Sequence, residues 1–146
     1  MDATFICRRF PAQTAQLRSC CEFVREGAMA AALSAADLDR LDLVLEELFM
    51  NVARYAYAKP DSGDVEVAYT IKGPGRLLVQ ISDTGHEFNP LASDPPDFSR
   101  GLAERPVGGL GIFLVKSIAE TITYERDGDC NRVSFLFSGS QAPGED

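Results

Sequence analysis

The alternation of apolar and polar positions divides the chain into short strands and longer helices. Residues 4–10 (TFICRRF) read as a short strand ended by Pro11. Across residues 12–32, Leu17, Cys20, Cys21, Val24, Ala28 and Ala31 recur at the spacing of one helix face. Ser34 or Asp37 is placed to cap a second helix, which runs to about Ala58 and stops before Lys59-Pro60. DSGD (61–64) predicts a turn. Val65, Val67, Tyr69 and Ile71 then alternate with less apolar residues, as do Leu77, Val79 and Ile81 on the way to Asp83, and KGPG (72–75) joins the two runs as a hairpin. Residues 84–109 are rich in glycine, proline and acidic residues and show little periodicity. A loop of more than about 15 residues in a compact domain is usually functional or disordered. A helix entered from glycines follows, from Leu110 to about Thr121. Two more strands, roughly 121–126 and 132–138, are joined by a turn at DGDCN, and a tail begins at Gly139. Helices and a mostly antiparallel sheet, each with one apolar face, predict an α+β two-layer sandwich.

Composition narrows the function classes. The 146 residues suit a single domain over 1–146. Fourteen basic and 22 acidic residues leave a net charge of −8, which repels phosphate backbones and disfavours broad nucleic-acid binding. A local basic pocket for one small anion remains open. No apolar run approaches the ~18 residues of a membrane span. The start, MDATFICRRF, lacks the order of a secretory signal, so a cytoplasmic location without membrane contact is expected. Cys7, Cys20, Cys21 and Cys130 form no C-x-x-C pair, and His86 is the sole histidine, so a zinc site is poorly supplied and free thiols are expected.

Three segments carry chemistry. In LDRLDLVLEELFMNVARYAYA, Leu38, Leu41, Val44, Leu45, Leu48, Phe49, Val52, Tyr55 and Ala56 form one apolar arc on a helical wheel. Glu47 and Asn51, four apart, lie about 40° from each other, with Arg54 on the same stripe and Glu46 pointing elsewhere. A carboxylate can act as general base, an amide oxygen can ligate Mg²⁺ and a guanidinium can meet phosphate. Alone, the stripe reads more simply as a solvated helix face. Ile81-Ser82-Asp83-Thr84-Gly85 sets an acid at the end of an apolar strand, where it can accept a hydrogen bond from an exocyclic amine such as that of adenine. Gly85 would let the backbone approach a flat ring, although an ordinary Asp-x-Gly turn explains the same residues. Val107-Gly108-Gly109-Leu110-Gly111-Ile112 opens a helix through glycines, which suits an anion at the helix N-terminus and equally a hinge. It is neither a Walker A loop nor a Rossmann fingerprint.

The order of these segments changes their weight. An acid-plus-amide stripe, a D-x-G strand end, a long loop and a glycine-gated helix follow one another within about 70 residues. The chain resembles the GHKL (Bergerat-fold) ATPases, whose members include histidine kinases, gyrase B and MutL. More narrowly, it is similar to the small anti-sigma-factor serine kinases of the RsbW/SpoIIAB type. EELFMNVARYAY resembles their N box, DTGHEFNP their adenine box, and ERPVGGLGIFLVK the lid end and second glycine box. The likeness covers about residues 4–138, and the three boxes are specific only together.

The resemblance implies roles. It makes Glu47 the base that activates the attacking hydroxyl, Asn51 the ligand of Mg²⁺ and Asp83 the adenine-reading acid, with Gly85 beside it. Arg54 stands where relatives carry a basic phosphate contact. Residues 91–107 become the lid over the phosphates. Gly108, Gly109 and Gly111 become the phosphate-binding turn, with Leu110 and Ile112 in the same segment. Arg105 either reaches the γ-phosphate from the lid or, between Glu104 and Pro106, serves as its hinge. The chain departs from the pattern at Tyr55, Glu87 and Asn89, and His86 is expected to be a solvent-facing loop residue. The implied fold is the Bergerat sandwich, a mixed and mostly antiparallel sheet with helices on one face. The implied activity is an ATP- and Mg²⁺-dependent protein serine kinase. Its partner would be a STAS-domain anti-anti-sigma factor; it would also sequester a sigma factor and form a homodimer. The alternatives are a nucleotide-gated interaction module without transfer, for which Glu47 would be superfluous, and an accessory domain of a sensor-kinase pathway.

Overall fold

The computed structural model describes residues 4–59, 62–92 and 109–140. Strand β1 (Ile6–Pro11) leads through a single 3₁₀ turn into α1 (Leu17–Ala30). Helix α2 (Ala35–Asn51) follows, then β2 (Asp64–Gly73), β3 (Arg76–Asp83), α3 (Gly109–Ile118), β4 (Thr121–Asp127) and β5 (Cys130–Ser138). The five strands form one sheet in the order β1-β2-β3-β5-β4, and all four pairings are antiparallel. The sheet is thus antiparallel throughout these strands, as the mostly antiparallel expectation requires, and no parallel pair occurs among the described strands.

The packing follows the alternation. Val65, Val67 and Tyr69 on β2, Leu77, Val79 and Ile81 on β3, and Val133, Phe135 and Phe137 on β5 bury one face of the sheet against Val24, Leu41, Leu45, Leu48 and Phe49 of the helices. Phe10 enters the same core, with ring centroids 6.0 Å from Phe23 and 6.4 Å from Phe49. The opposite face carries Gln80, Ser82, Arg132 and Ser134, all partly exposed. Arg25 joins α1 to α2 through a 2.8 Å ion pair with Asp42.

Several boundaries differ from the sequence reading, each for a local reason. Pro11 is the last residue of β1, opposite Asp64, rather than a residue beyond it. β1 is an edge strand, where a missing N–H is tolerated. Ser34 caps α2 by accepting from Asp37 N, while Asp37 accepts from Ser34 N, a reciprocal capping box. The α2 helix does not continue to Ala58. Its last turn widens into a π-helical turn over Val52–Ala56, a rare feature that often marks functional sites. This turn rotates Tyr55 out of the apolar arc, and the residue is 45% exposed. The last hairpin turn is only Gly128-Asp129, since Asp127 pairs with Cys130, so Asn131 belongs to a strand and not to a turn. The assigned lid lies mostly outside the described residues, as do Arg105 and Gly108. Among the described residues, no helix is long and apolar enough to cross a membrane.

Candidate functional site

The site is built on three elements that meet at one end of the sandwich. The first is α2. Its capped start and buried arc fix the helix phase, which leaves Glu47 half-buried one turn before Asn51. Burial pushes the Glu47 carboxyl above its ordinary range, while a side-chain hydrogen bond with Asn51 and the charge of Arg54 oppose the shift. The structure therefore brings Glu47, Asn51 and Arg54 together, even though Arg54 sits in the π-helical turn. Glu46, Glu47, Arg54, Leu43 and Met50 share a groove of about 180 Å³ with Gly111 and Leu114 of α3, so Glu46, expected to point elsewhere, borders the same groove and its charge adds to the upward shift of Glu47.

The second element is the start of α3. A Cβ built on Gly111 would overlap Oε1 of Glu47, so the absent side chain leaves the space that the carboxylate occupies. The first four amides of a helix have no intrahelical acceptor, which makes the backbone of Gly109, Leu110, Gly111 and Ile112 a donor set for an anion. The Ile112 side chain is buried in the core, so only its backbone can face a ligand.

The third element is the end of β3. Asp83 is buried, and its Oδ1 accepts from Gly85 N at 2.9 Å and from Asn131 Nδ2 at 3.0 Å. No hydrogen bond among the described residues uses its Oδ2. Asp83 and Asn51 line a narrow cleft of about 30 Å³ walled by Leu48, Val52, Ile81 and Val133. The close approach that excludes a side chain at Gly85 is to the Ala56 carbonyl, at the end of the π-helical turn. That same carbonyl accepts from His86 N at 3.0 Å and lies 3.2 Å from His86 Nδ1. His86 is exposed, but its ring is tethered at the cleft mouth.

Two residues of this site carry no signal in the sequence reading. Tyr57, just after the π-helical turn, donates its hydroxyl to Asp64 O at 2.5 Å and accepts from Thr84 N at 3.1 Å. It holds the D-T-G turn at Thr84, as Asn131 holds it at Asp83. Asn131 is the cross-strand partner of Asp83 in the β3–β5 register. A two-residue reading of the last turn would have exposed it. Asn131, Val133, Phe135 and Phe137 then alternate on one face, with a polar residue heading an apolar series.

The arrangement has distinct chemical capacities. The cleft suits a flat apolar group carrying a hydrogen-bond donor on its edge, because an apolar slot ends at a carboxylate with an unused oxygen. The α3 start suits phosphate. Among the described residues, no three His, Cys, Asp or Glu side chains could hold a metal by themselves. The Asn51 amide fits Mg²⁺ as a single hard oxygen, since that ion keeps waters and takes phosphate oxygens.

Comparison with known proteins agrees with this architecture. The chain matches the histidine kinase-like ATPase domain over residues 10–137 and belongs to that family. Proteins named serine-protein kinase RsbW, from Bacillus cereus (strain AH820) and Bacillus anthracis, are 27% identical to it over 95 residues. The match covers 62% of this chain and spans 58% of the length of those relatives. A crystal structure of RsbU and RsbW domains from Mycobacterium tuberculosis superposes with a TM-score of 0.62 at 14% identity, covering 92% of this chain and 32% of that one. The blue-light activated histidine kinase of Erythrobacter litoralis gives 0.54 at 22% identity, covering 75% and 32%. At these identities the structural likeness is one of fold.

Proposed function

We propose that this domain binds ATP with Mg²⁺ and transfers the γ-phosphoryl group to a serine of a partner protein. The observation that carries the reading is the half-buried Glu47 carboxylate, held beside Asn51 and against the glycine-rich start of α3. A domain that only bound nucleotide would not need a base there. Asp83 takes the amino edge of adenine in the apolar cleft, Asn51 offers its amide oxygen to Mg²⁺, and the α3 amides and Arg54 meet the phosphates. Arg105 and Gly108, which lie outside the described residues, are proposed as further phosphate contacts. Glu47 accepts the serine proton as the serine Oγ attacks the γ-phosphorus. The new O–P bond forms, the bond to the β–γ bridging oxygen breaks, and ADP leaves. Mg²⁺ supplies charge neutralisation, and the remaining contribution is positioning.

The likeness to serine-protein kinases RsbW supports a partner-switching role. The serine would lie on a STAS-domain anti-anti-sigma-like protein, with a sigma factor as a second ligand. The protein would act in the cytoplasm as a homodimer.

Calorimetric titration with ATP, once with Mg²⁺ and once with EDTA, tests the site. Mg²⁺-dependent binding is expected, abolished in folded Asp83→Asn and retained in Glu47→Ala. Transfer of radiolabel from [γ-³²P]ATP to a STAS-domain partner should disappear in Glu47→Ala. Absence of ATP binding in both buffers would overturn the reading and leave a protein-interaction module. Unchanged transfer by Glu47→Ala would remove Glu47 from the chemistry.

A further inference from the structure

Among the described residues, Asn131 makes more hydrogen bonds than any other side chain at the site, and it is only 5% exposed. Its Oδ1 accepts from Tyr124 OH at 2.6 Å, Arg126 Nη1 at 3.1 Å and Phe88 N at 3.4 Å. Its Nδ2 donates to His86 O at 2.8 Å and to Asp83 Oδ1 at 3.0 Å. The amide can sit in only one sense. A guanidinium and a backbone N–H only donate, so they face the oxygen, while a carbonyl and a carboxylate accept from the nitrogen. Arg126 Nη1 also donates to Gly85 O at 2.9 Å. The β4–β5 hairpin therefore grips both ends of the Asp83–Gly85 turn.

We infer that Asn131 is a positioning residue that fixes Asp83 as a selective acceptor for a 6-aminopurine. This inference deepens the ATP reading and rests on it. Two N–H donors, Gly85 N and Asn131 Nδ2, converge on Oδ1. They set the plane of the carboxylate and leave Oδ2 as the oxygen offered to the cleft. An acceptor in that place pairs with an exocyclic amine and opposes the 6-oxo group of hypoxanthine, which is itself an acceptor. Without the Asn131 donor only Gly85 N holds Oδ1, the carboxylate turns more easily, and the preference of the cleft weakens.

The test measures the affinity of the Mg²⁺ complexes of ATP and ITP for the wild-type chain, Asn131→Ala and the isosteric Asn131→Asp, with thermal unfolding to establish folding. The expected result is an ATP-over-ITP preference in the wild type that falls by about tenfold in both variants, chiefly through lost ATP affinity. A role confined to stability would lower the melting temperature and leave the ratio unchanged, and that outcome in either folded variant would overturn the inference. If neither variant folds, Arg126→Ala decides: a reduced ratio supports the inference and an unchanged ratio overturns it. Failure of the wild type to bind ATP would instead sink the nucleotide reading, and this inference with it. A wild type that binds ATP and ITP equally would overturn this inference while leaving nucleotide binding intact.

Discussion

Gly111 and Glu47 share one space: the hydrogen at Gly111 leaves the volume that the Glu47 carboxylate fills, and a methyl group there would overlap Oε1. The residue that would move is the end of a flexible side chain. Gly111→Ala is therefore expected to fold and to keep its nucleotide affinity within a few-fold, while Glu47, the proposed base, is displaced. Small misplacements of a reacting group are costly, so phosphotransfer should fall by about 10- to 100-fold. Single-turnover transfer and ATP titration on the same preparation separate the two effects. Equal losses in both would assign Gly111 to ATP binding rather than to Glu47.

Burial raises the Glu47 pKa above the ordinary glutamate value, which gives two linked expectations with definite signs. A general base works only when deprotonated. The acid limb of the pH–rate profile should thus lie above the ordinary glutamate range and be absent in Glu47→Gln, whose rate falls by at least about 100-fold. The linkage to folding runs the other way from that of a salt-bridged carboxylate. A raised folded pKa means that ionisation disfavours the native state, so Glu47 costs stability above its folded pKa. That cost fades as pH falls toward the unfolded value. Glu47→Gln should melt higher than the wild type at pH 7, and the gap should close on acidification. Thermal scans at pH 7 and pH 4 measure both halves.

The difference between what the chain shows as a sequence and what folding adds is clear at Asp83. The Glu47–Asn51 pair is legible because both residues lie on one helix, where 3.6-residue periodicity fixes their relation. Asp83 is legible because it ends an alternating run. Asn131 is not, since its relation to Asp83 depends on β5 pairing with β3 after β4 has been threaded to the edge, a non-local fact that no local period encodes. Tyr57 was hidden for a related reason. A wheel drawn through α2 assumes a regular helix, and the π-helical turn at Val52–Ala56 breaks that assumption before the chain reaches Tyr57. The antiparallel alternation itself gave the layers and the core face without such help.

Ala32 ends α1 in the left-handed region at φ 66°, with Ala32 N donating to Met29 O and Leu33 N to Ala28 O. These are the two bonds of a Schellman motif, whose left-handed position is usually glycine. The side chain is exposed and contributes little packing. Ala32→Gly should relieve the steric cost and raise stability by up to about 1 kcal/mol, the unfolded chain's added entropy offsetting part of the gain. Chemical denaturation at pH 7 checks this, and a lower midpoint would contradict it.

Asp37 ties the start of α2 to the end of the sheet. Its carboxylate accepts from Ser34 N at 3.4 Å and Ser140 N at 3.2 Å, and it lies 3.4 Å from Arg40. Burial alone would raise its pKa, but the hydrogen bonds from Ser140 and Ser34 outweigh burial and hold it below the ordinary range. A lowered folded pKa gives stability that is present above the unfolded value of about 3.9 and is lost as pH falls through the folded one. Asp37→Ala should cost about 1–3 kcal/mol at pH 7, with a smaller difference near pH 3. Equilibrium unfolding at the two pH values measures it, and a pH-independent difference would mean that charge is not the cause.

Tyr57 offers a way to perturb the cleft proposed for the nucleotide base without touching a group proposed to meet the ligand. Its hydroxyl spans from Asp64 O to Thr84 N, so it links the start of β2 to the D-T-G turn. The neighbouring Ala56 carbonyl holds His86 in the same turn. Tyr57→Phe removes one donor and one acceptor but keeps the ring, and each such bond is worth about 1 kcal/mol net. The expected outcome is a loss of about 1 kcal/mol in stability together with ATP affinity weakened about two- to tenfold, since the Asp83 turn loses one of its supports. Base selectivity should survive, because Asn131 still sets the Asp83 carboxylate. Measuring ATP and ITP affinities for Tyr57→Phe beside Asn131→Ala therefore separates support of the turn from orientation of its acid. A loss of selectivity in Tyr57→Phe as large as that in Asn131→Ala would show that the turn, rather than one amide, sets the choice of base.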